Sequence, residues 1–208
     1  MDVLHVVKEL GVVPVIRLDR AEDAVPVCSA LAKGGLPIAE ITFRTDAAAE
    51  SIRRVANELP EVLPGAGTVV TVAQAEAALD AGAKFIVSPG ISEKVVTFCQ
   101  KAGVPIIPGC ATPTDITLAV ELGLEVVKFF PAEAMGGIKT LKALAAPFSK
   151  MRFMPTGGVT PANLREYLSL PCVVACGGTW LVKGDPSEEG ALEKIEGLAR
   201  EAVSLKKL

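Results

Sequence analysis

Short runs of β-branched and other apolar residues alternate along this chain with longer stretches rich in Ala, Leu and Glu. Most of these runs lead into a turn that contains Gly, Pro or Thr, and the stretch that follows has the apolar spacing of a helix. Strands that alternate with helices at intervals of about 20 residues are typical of βαβ units and a parallel sheet. Eight runs are predicted as strands: Val12–Ile16, Ile38–Thr42, Val62–Gly67, Phe85–Ser88, Val104–Pro108, Leu124–Phe129, Met151–Pro155 and Cys172–Cys176.

Eight units of this kind favour a closed (β/α)8 barrel, the TIM barrel, in the α/β class. The alternative is an open doubly wound sheet, whose first turn would carry the pattern Gly-x-Gly-x-x-Gly. That turn contains no glycine here, because its sequence is Arg17-Leu18-Asp19-Arg20. We also expect residues 2–9 to form an extra N-terminal helix that closes the bottom of the barrel. No linker interrupts the chain, so residues 1–208 are predicted to be a single barrel domain.

The composition argues against several classes of partner. The 21 Lys and Arg residues against 24 Asp and Glu give a net charge of −3, and only 4% of the residues are aromatic. A nucleic-acid-binding protein needs a basic patch and often stacking rings. The longest uncharged segment, residues 167–182, is shorter than the roughly 20 residues that span a bilayer, and Asp2, Lys8 and Glu9 disagree with a secretory signal. We therefore expect a cytoplasmic protein with no nucleic-acid or membrane partner.

Cysteine and histidine usage restricts the chemistry further. The five cysteines, an odd number in apolar surroundings, are predicted to be reduced and buried. Cys172 and Cys176 are four residues apart but have no histidine near them, so we expect no metal site there. His5 is the single histidine, which excludes a His-rich metal site and any histidine-assisted nucleophile that does not use His5. The chemistry therefore has to depend on Lys, Glu, Asp, Arg or backbone groups.

The second predicted strand carries polar residues toward the end of the barrel where active sites lie. Glu40, Thr42 and Arg44 alternate with Ile41 and Phe43, so the three polar side chains share one face. Because the two apolar side chains should pack on the helices, the polar face is predicted to point into the lumen. A carboxylate in that position could carry protons. Alternatively, Glu40 and Arg44 could form a buried ion pair with a purely structural role.

The sixth predicted strand contains a lysine that cannot easily reach water. Lys128 follows Val126 and Val127 and precedes Phe129 and Phe130. Burial disfavours the charged form of an amine, and a neutral amine is a nucleophile that can form a Schiff base with a carbonyl substrate. The alternative is a lysine that is ion-paired or extends its amine to water along an apolar surface. Lys84 begins its strand, so we expect it at the solvated bottom rim.

Paired glycines follow the last two predicted strands. Gly157-Gly158 and Gly177-Gly178 would let the backbone approach an anion closely, and barrels often bind phosphate in these two loops. Amide donors can hold a phosphate without a cluster of lysines, so the net negative charge is no objection. Thr68 and Pro89 complete the predicted rim, although ordinary turn chemistry also explains both residues.

Several motifs together resemble the family of 2-keto-3-deoxy-6-phosphogluconate (KDPG) aldolases, which includes the 4-hydroxy-2-oxoglutarate (KHG) aldolases. The likeness extends from about residue 12 to residue 182, and the stretch from Lys128 to Glu133 is its most specific part. It implies a class I aldolase on a (β/α)8 barrel that uses no metal or other cofactor and assembles as a homotrimer. The motifs are Glu40-Ile41-Thr42-Phe43-Arg44-Thr45, Gly65-Ala66-Gly67-Thr68-Val69, Ser88-Pro89-Gly90, Lys128-Phe129-Phe130-Pro131-Ala132-Glu133, Pro155-Thr156-Gly157-Gly158 and Gly177-Gly178-Thr179-Trp180-Leu181-Val182.

The resemblance also implies a role for individual residues. Lys128 matches the lysine that forms the Schiff base, and Glu40 matches the general acid and base. At Thr179 many members have Ser, so the hydroxyl is retained with an added methyl group. Arg44 and Thr68 match the positions that hold the pyruvate carboxylate, Pro89 and Phe130 those that line the pocket, Thr156 one that faces the substrate hydroxyls, and Gly157, Gly158, Gly177, Gly178 and Thr179 the phosphate site.

The implied reaction is cleavage of KDPG to pyruvate and glyceraldehyde 3-phosphate, so the implied ligands are a 2-keto acid and a phosphorylated aldehyde. KHG cleavage to pyruvate and glyoxylate, or cleavage of the galactonate epimer of KDPG, remain alternatives. Thr156 resembles the gluconate-acting members, since galactonate-acting relatives tend to have an apolar residue there. From the residues alone, two other functions also stay open. One is a phosphate-binding barrel isomerase or synthase, which has no use for Lys128, and the other is a non-catalytic phospho-sugar sensor, which would bind its ligand without turnover.

Overall fold

Strands and helices alternate along the whole of the computed structural model, which describes residues 2–206. The elements are α1 (Val3–Leu10), β1 (Val12–Ile16), a 3-10 turn (Ala21–Asp23), α2 (Ala24–Lys33), β2 (Ile38–Thr42), α3 (Ala48–Glu58), β3 (Leu63–Gly67), α4 (Val72–Asp80), β4 (Phe85–Val87), α5 (Glu93–Lys101), β5 (Ile106–Ile107), β6 (Gly109–Cys110), α6 (Pro113–Glu121), β7 (Val126–Phe129), α7 (Gly137–Ala145), β8 (Arg152–Pro155), α8 (Pro161–Leu168), β9 (Cys176–Gly178) and α9 (Ala191–Lys206).

All strand pairs are parallel, and they form a closed ring. One sheet has the order β5-β4-β3-β2-β1-β9, and the other has the order β6-β7-β8. Segments β5 and β6 form one strand that is interrupted at Pro108, which has no N–H to donate. Two single bridges close the ring, one from Phe153 in β8 to Val173 just before β9 and one from Thr156 just after β8 to Gly177 in β9. The ring therefore has eight strand positions, and the predicted (β/α)8 fold is confirmed.

The predicted eighth strand, Cys172–Cys176, has the wrong bounds. The strand is β9, Cys176–Gly178, so the prediction and the structure share Cys176, while Val173 contributes only a single bridge. The sequence favoured the apolar run because β-branched residues suit strands. Packing requires the glycine instead, because a Cβ atom on Gly177 would lie 2.2 Å from Thr156 Oγ1. The fifth predicted strand, Val104–Pro108, is also displaced, since its pairs run from Ile106 to Cys110.

Helix α1 closes the N-terminal end of the barrel, as predicted. The Asp2 carboxylate accepts hydrogen bonds from the backbone N–H groups of Leu4 and His5, which fixes the start of the helix. The helix turns Val3 and Val7 into the barrel, where Val7 is fully buried. These two valines pack in one apolar cluster with Ala175, which directly precedes β9, and with lumen residues of seven strands: Val13, Ile38, Leu63, Phe85, Val87, Ile107, Val126 and Met154.

The cysteines are all free, and four of the five are buried. Burial raises the pKa of the Cys28 thiol and of the Cys110 thiol to about 12. Both thiols are therefore protonated near neutral pH, and a protonated thiol is a poor nucleophile. No helix within residues 2–206 combines the length and the apolar character needed to cross a membrane.

The packing of α1 generates a stability prediction. Val7→Ala removes apolar surface from the closed end of the lumen and leaves a cavity, so we expect the free energy of unfolding to fall by about 1–3 kcal/mol. Val120→Ala is the matched control, because Val120 also lies in a helix but is 53% exposed, and we expect a change within about 0.5 kcal/mol. Urea denaturation measures both values. Equal stabilities of the two variants would contradict this packing role for α1.

Candidate active site

A lysine and a glutamate from distant strands meet inside the barrel. The Lys128 Nζ atom on β7 donates a hydrogen bond to Glu40 Oε1 on β2 over 3.3 Å. The two strands are not neighbours in the ring, so this contact crosses the lumen. The side chains are 5% and 0% exposed. Both residues therefore face the interior, as the alternation of polar and apolar positions predicts.

Two glycines of β3 make room for these lumen side chains. A Cβ atom on Gly67 would lie 2.3 Å from Glu40 Oε1, and one on Gly65 would lie 2.2 Å from the Phe85 ring. Neither glycine has a positive φ, so the requirement for glycine is one of space. The sequence Leu63–Gly67 thus leaves a volume beside β2 that the Glu40 carboxylate and the Phe85 ring occupy.

Only one of the two carboxylate oxygens of Glu40 has a hydrogen-bond partner among the described residues. Its Oε2 atom is buried and has no hydrogen-bond partner among residues 2–206. An unpaired buried carboxylate oxygen is costly, and such groups are often found where a substrate or water binds. On the other side of the amine, the Lys128 Nζ atom lies 5.1 Å from the centre of the Phe130 ring. The arrangement is an amine next to a carboxylate that has a free oxygen to accept or deliver a proton.

Arg44 does not pair with Glu40, so the structural ion pair considered from the sequence is absent from the described residues. Arg44 lies just beyond β2 and is exposed, and its Nε atom donates to Thr68 Oγ1 over 3.3 Å. Thr68 has a φ of 58° and is the one non-glycine residue with a positive φ in the described part of the chain. A β-branched residue in this region is strained, and strain of this kind concentrates at binding sites. The guanidinium and the hydroxyl together are suited to binding a carboxylate.

The other predicted pocket residues lie on the same rim of the barrel. Pro89 follows β4 and is half-buried, with its turn fixed by a hydrogen bond from Ser88 Oγ to the Gly90 carbonyl over 2.7 Å. Phe130 directly follows β7 and is also half-buried. Thr156 directly follows β8, is 2% exposed, and donates to the Met154 carbonyl over 3.4 Å. The C-terminal ends of these strands thus present one apolar wall and one hydroxyl.

The predicted glycine pairs differ from each other in structure. Gly157 and Gly158 form a turn after β8 with φ values of 95° and 83°, a conformation that favours glycine. Gly177 and Gly178 are not a turn, because both belong to β9, and the turn begins with the exposed Thr179. The two pairs still lie together, because β8 and β9 are joined by the bridge between Thr156 and Gly177.

The sequence did not predict a contact between Tyr167 and Glu133, which lies next to the turn at Gly157 and Gly158. The Tyr167 hydroxyl on α8 donates to Glu133 Oε1 in the turn after β7. The two residues are 34 positions apart, so no local spacing could have connected them. The residues that the structure describes contain no group of three or more His, Cys, Asp and Glu side chains arranged to hold a metal ion.

Comparisons with known proteins indicate one family. The family model "KDPG and KHG aldolase" matches residues 3–198. The KHG/KDPG aldolase of Escherichia coli K12 is 47% identical over 197 residues, which cover 95% of this chain and 92% of that protein.

Two solved structures bring ligands into the comparison. The KDPG aldolase of Zymomonas mobilis ZM4 with 3-phosphoglycerate has a TM-score of 0.92 and 38% identity, covering 99% of this chain and 97% of that chain. The KDPG aldolase of Legionella pneumophila, with pyruvate captured as a covalent carbinolamine intermediate, has a TM-score of 0.85 and 39% identity. The match covers 91% of this chain and 92% of the Legionella chain.

The space beside Glu40 generates a prediction for Gly67. Gly67→Ala places a methyl group against the carboxylate, so we expect Glu40 to shift and its contact with Lys128 to lengthen. Gly90→Ala is the matched control, because a methyl group on Gly90 would meet nothing within 4 Å beyond its chain neighbours, and Gly90 has no positive φ. Crystal structures of the two variants measure the distance from Nζ to Oε1. An unchanged distance in Gly67→Ala would contradict the spatial role of this glycine.

Proposed function

This chain belongs to the KDPG and KHG aldolase family, and we propose that it is a class I aldolase that cleaves KDPG to pyruvate and glyceraldehyde 3-phosphate. The observation that carries the proposal is the buried contact between Lys128 Nζ and Glu40 Oε1. A buried lysine amine can act as a nucleophile without a metal ion or a histidine when a carboxylate next to it carries the protons of the reaction.

The first half of the reaction joins the amine to the substrate. Lys128 attacks the C2 carbonyl carbon, and the former carbonyl oxygen takes up a proton to give a carbinolamine. Glu40 removes a proton from the nitrogen and delivers one to the departing hydroxyl, so that water leaves and an iminium forms. Arg44 and Thr68 bind the substrate carboxylate and orient C2 toward the amine.

The second half of the reaction uses the iminium as an electron acceptor. Loss of the C4 hydroxyl proton, directly to Glu40 or through water, lets the C3–C4 bond break and releases glyceraldehyde 3-phosphate. The electron pair of that bond forms an enamine with the nitrogen of Lys128. Glu40 then protonates C3, and addition of water to the resulting iminium frees pyruvate and the lysine. One carboxylate with a free oxygen suits several such transfers.

The remaining rim residues fit the rest of the substrate. Thr156 faces the substrate hydroxyls, while Pro89 and Phe130 line the pocket. The phosphate group binds to the backbone N–H groups and the hydroxyl at the ends of β8 and β9. This assignment is supported by the positive-φ turn after β8 and by its bridge to β9. The phosphate-binding residues are Gly157, Gly158, Gly177, Gly178 and Thr179.

A second candidate activity is cleavage of KHG at the same site. It is favoured by the name of the E. coli relative, KHG/KDPG aldolase, at 47% identity. KHG presents the same 2-keto acid to Lys128 and Glu40 but has no phosphate group for the glycine loops. The ratio of kcat/KM for the two substrates decides which activity dominates, and a ratio that favours KDPG supports the phosphate assignment.

We further propose a cytoplasmic homotrimer, which is the assembly that the family resemblance implies. Two large apolar side chains that are exposed in the single chain are compatible with contacts between subunits: Val70 and Met135. Light scattering in solution should give three times the chain mass of 21.6 kDa, and a monomer mass would reject the trimer.

Covalent trapping tests the proposed function directly. Borohydride reduction in the presence of pyruvate should fix one pyruvyl unit on Lys128, because the reduced imine cannot hydrolyse. Peptide mapping by mass spectrometry locates the adduct. Lys84→Arg serves as the control, since Lys84 is exposed at the start of β4, and this variant should be labelled normally. The absence of an adduct, or an adduct on another lysine, would reject the proposal.

A further inference from the structure

The pair formed by Glu133 and Tyr167 has no task in the reaction described above, yet it lies next to the proposed phosphate site. Tyr167 is fully buried on α8, and its hydroxyl donates to Glu133 Oε1. Burial, followed by the hydrogen bond to Glu133, raises the pKa of Tyr167 above its usual value. The hydroxyl therefore stays protonated near neutral pH and remains a hydrogen-bond donor.

Glu133 is in contact with the glycine turn after β8. Its backbone N–H donates to the Gly157 carbonyl over 3.0 Å. A Cβ atom on Gly158 would lie 2.5 Å from both Cβ and Cγ of Glu133. The side chain of Glu133 thus covers the back of this turn, and glycine at position 158 provides the space for it.

The same carboxylate is also close to the start of α7. A Cβ atom on Gly137 would lie 3.0 Å from Glu133 Oε1 and 3.3 Å from the Tyr167 hydroxyl. A carboxylate near a helix N-terminus is favourable, because the first backbone N–H groups of a helix lack partners. One side chain therefore connects the turn after β7, the glycine turn, α7 and α8.

A carboxylate in this place has a cost for an anionic ligand. Like charges repel strongly where water is partly excluded, and a phosphate on the glycine turn would approach Glu133. The hydrogen bond from Tyr167 restrains the carboxylate and delocalises part of its charge. Without that bond, a free carboxylate and a less restrained turn would both weaken phosphate binding.

We propose that Tyr167 and Glu133 are positioning residues that set the preference for phosphorylated over unphosphorylated substrates by holding the Gly157–Gly158 turn in its binding geometry. The inference rests on the proposed function, in which that turn receives the phosphate group. Lys128 and Glu40 lie outside this pair, so the chemistry at C2 does not depend on it.

The test compares two substrates that share the catalytic pair and differ in the phosphate. Tyr167→Phe removes only the hydroxyl, so we expect kcat/KM for KDPG to fall about tenfold, mainly through KM. For KHG we expect a change of less than about twofold. Glu133→Gln keeps an amide oxygen that can accept from Tyr167, so its effect on KDPG should be smaller than that of Tyr167→Phe. Ser51→Ala is the control for loss of a buried hydroxyl, because Ser51 Oγ lies in α3 without a hydrogen-bond partner among the described residues.

The outcomes separate this inference from the function on which it rests. Equal losses with KDPG and KHG in Tyr167→Phe, or no loss with either, would overturn it. Failure of the unaltered enzyme to cleave either substrate would instead overturn the proposed function. In that case, a titration with inorganic phosphate, monitored by phosphorus NMR, still measures phosphate binding at the turn directly. Weaker phosphate binding by Tyr167→Phe than by the unaltered protein and Ser51→Ala supports the inference, and equal binding by all three contradicts it.

Discussion

The contact between the Lys128 amine and the Glu40 carboxylate is the interaction on which the whole site depends. Removing two charged groups from water costs several kcal/mol for each ion, and their attraction in the interior only partly offsets that cost. Such a pair is therefore poor evidence for a stabilising role. Its position across the lumen, together with the unpaired Oε2 atom, is better explained by chemistry. The barrel holds in place a pair that water would otherwise separate.

The fold places an apolar layer on one side of this pair and polar side chains on the other side. At the N-terminal end, α1 and the lumen residues form a buried apolar layer beneath the pair. At the C-terminal end, the side chains of successive strands become polar, from Glu40 and Lys128 to Arg44, Thr68 and Thr156. Small residues then decide where these groups fit, since Gly67 leaves space for the carboxylate and Gly177 leaves space for Thr156. The apolar end of the lumen thus contributes to stability, and the polar end carries the reactive groups.

The sequence predicted most of the barrel because hydrophobic periodicity and turn residues are local signals. It also predicted that Glu40 and Lys128 face the lumen, since alternation along a strand is local as well. Features that depend on packing between distant parts of the chain were not predicted or were predicted wrongly. The apolar run at Cys172–Cys176 looked more like a strand than the glycines of β9, whose need for space arises from Thr156. Likewise, nothing in the spacing could show that Lys128, rather than Arg44, is the partner of Glu40, or that Tyr167 reaches Glu133.

Hydrogen exchange at the methyl group of pyruvate tests most directly whether Glu40 moves protons for the imine on Lys128. With pyruvate alone in D2O, the unaltered enzyme should exchange methyl hydrogens for deuterium, because the imine and the enamine interconvert through a proton carried by Glu40. Proton NMR follows the loss of the methyl signal. We expect Glu40→Gln to slow this exchange by at least about 100-fold while pyruvate still reaches Lys128. Exchange at the full rate in that variant would contradict the central role of the carboxylate.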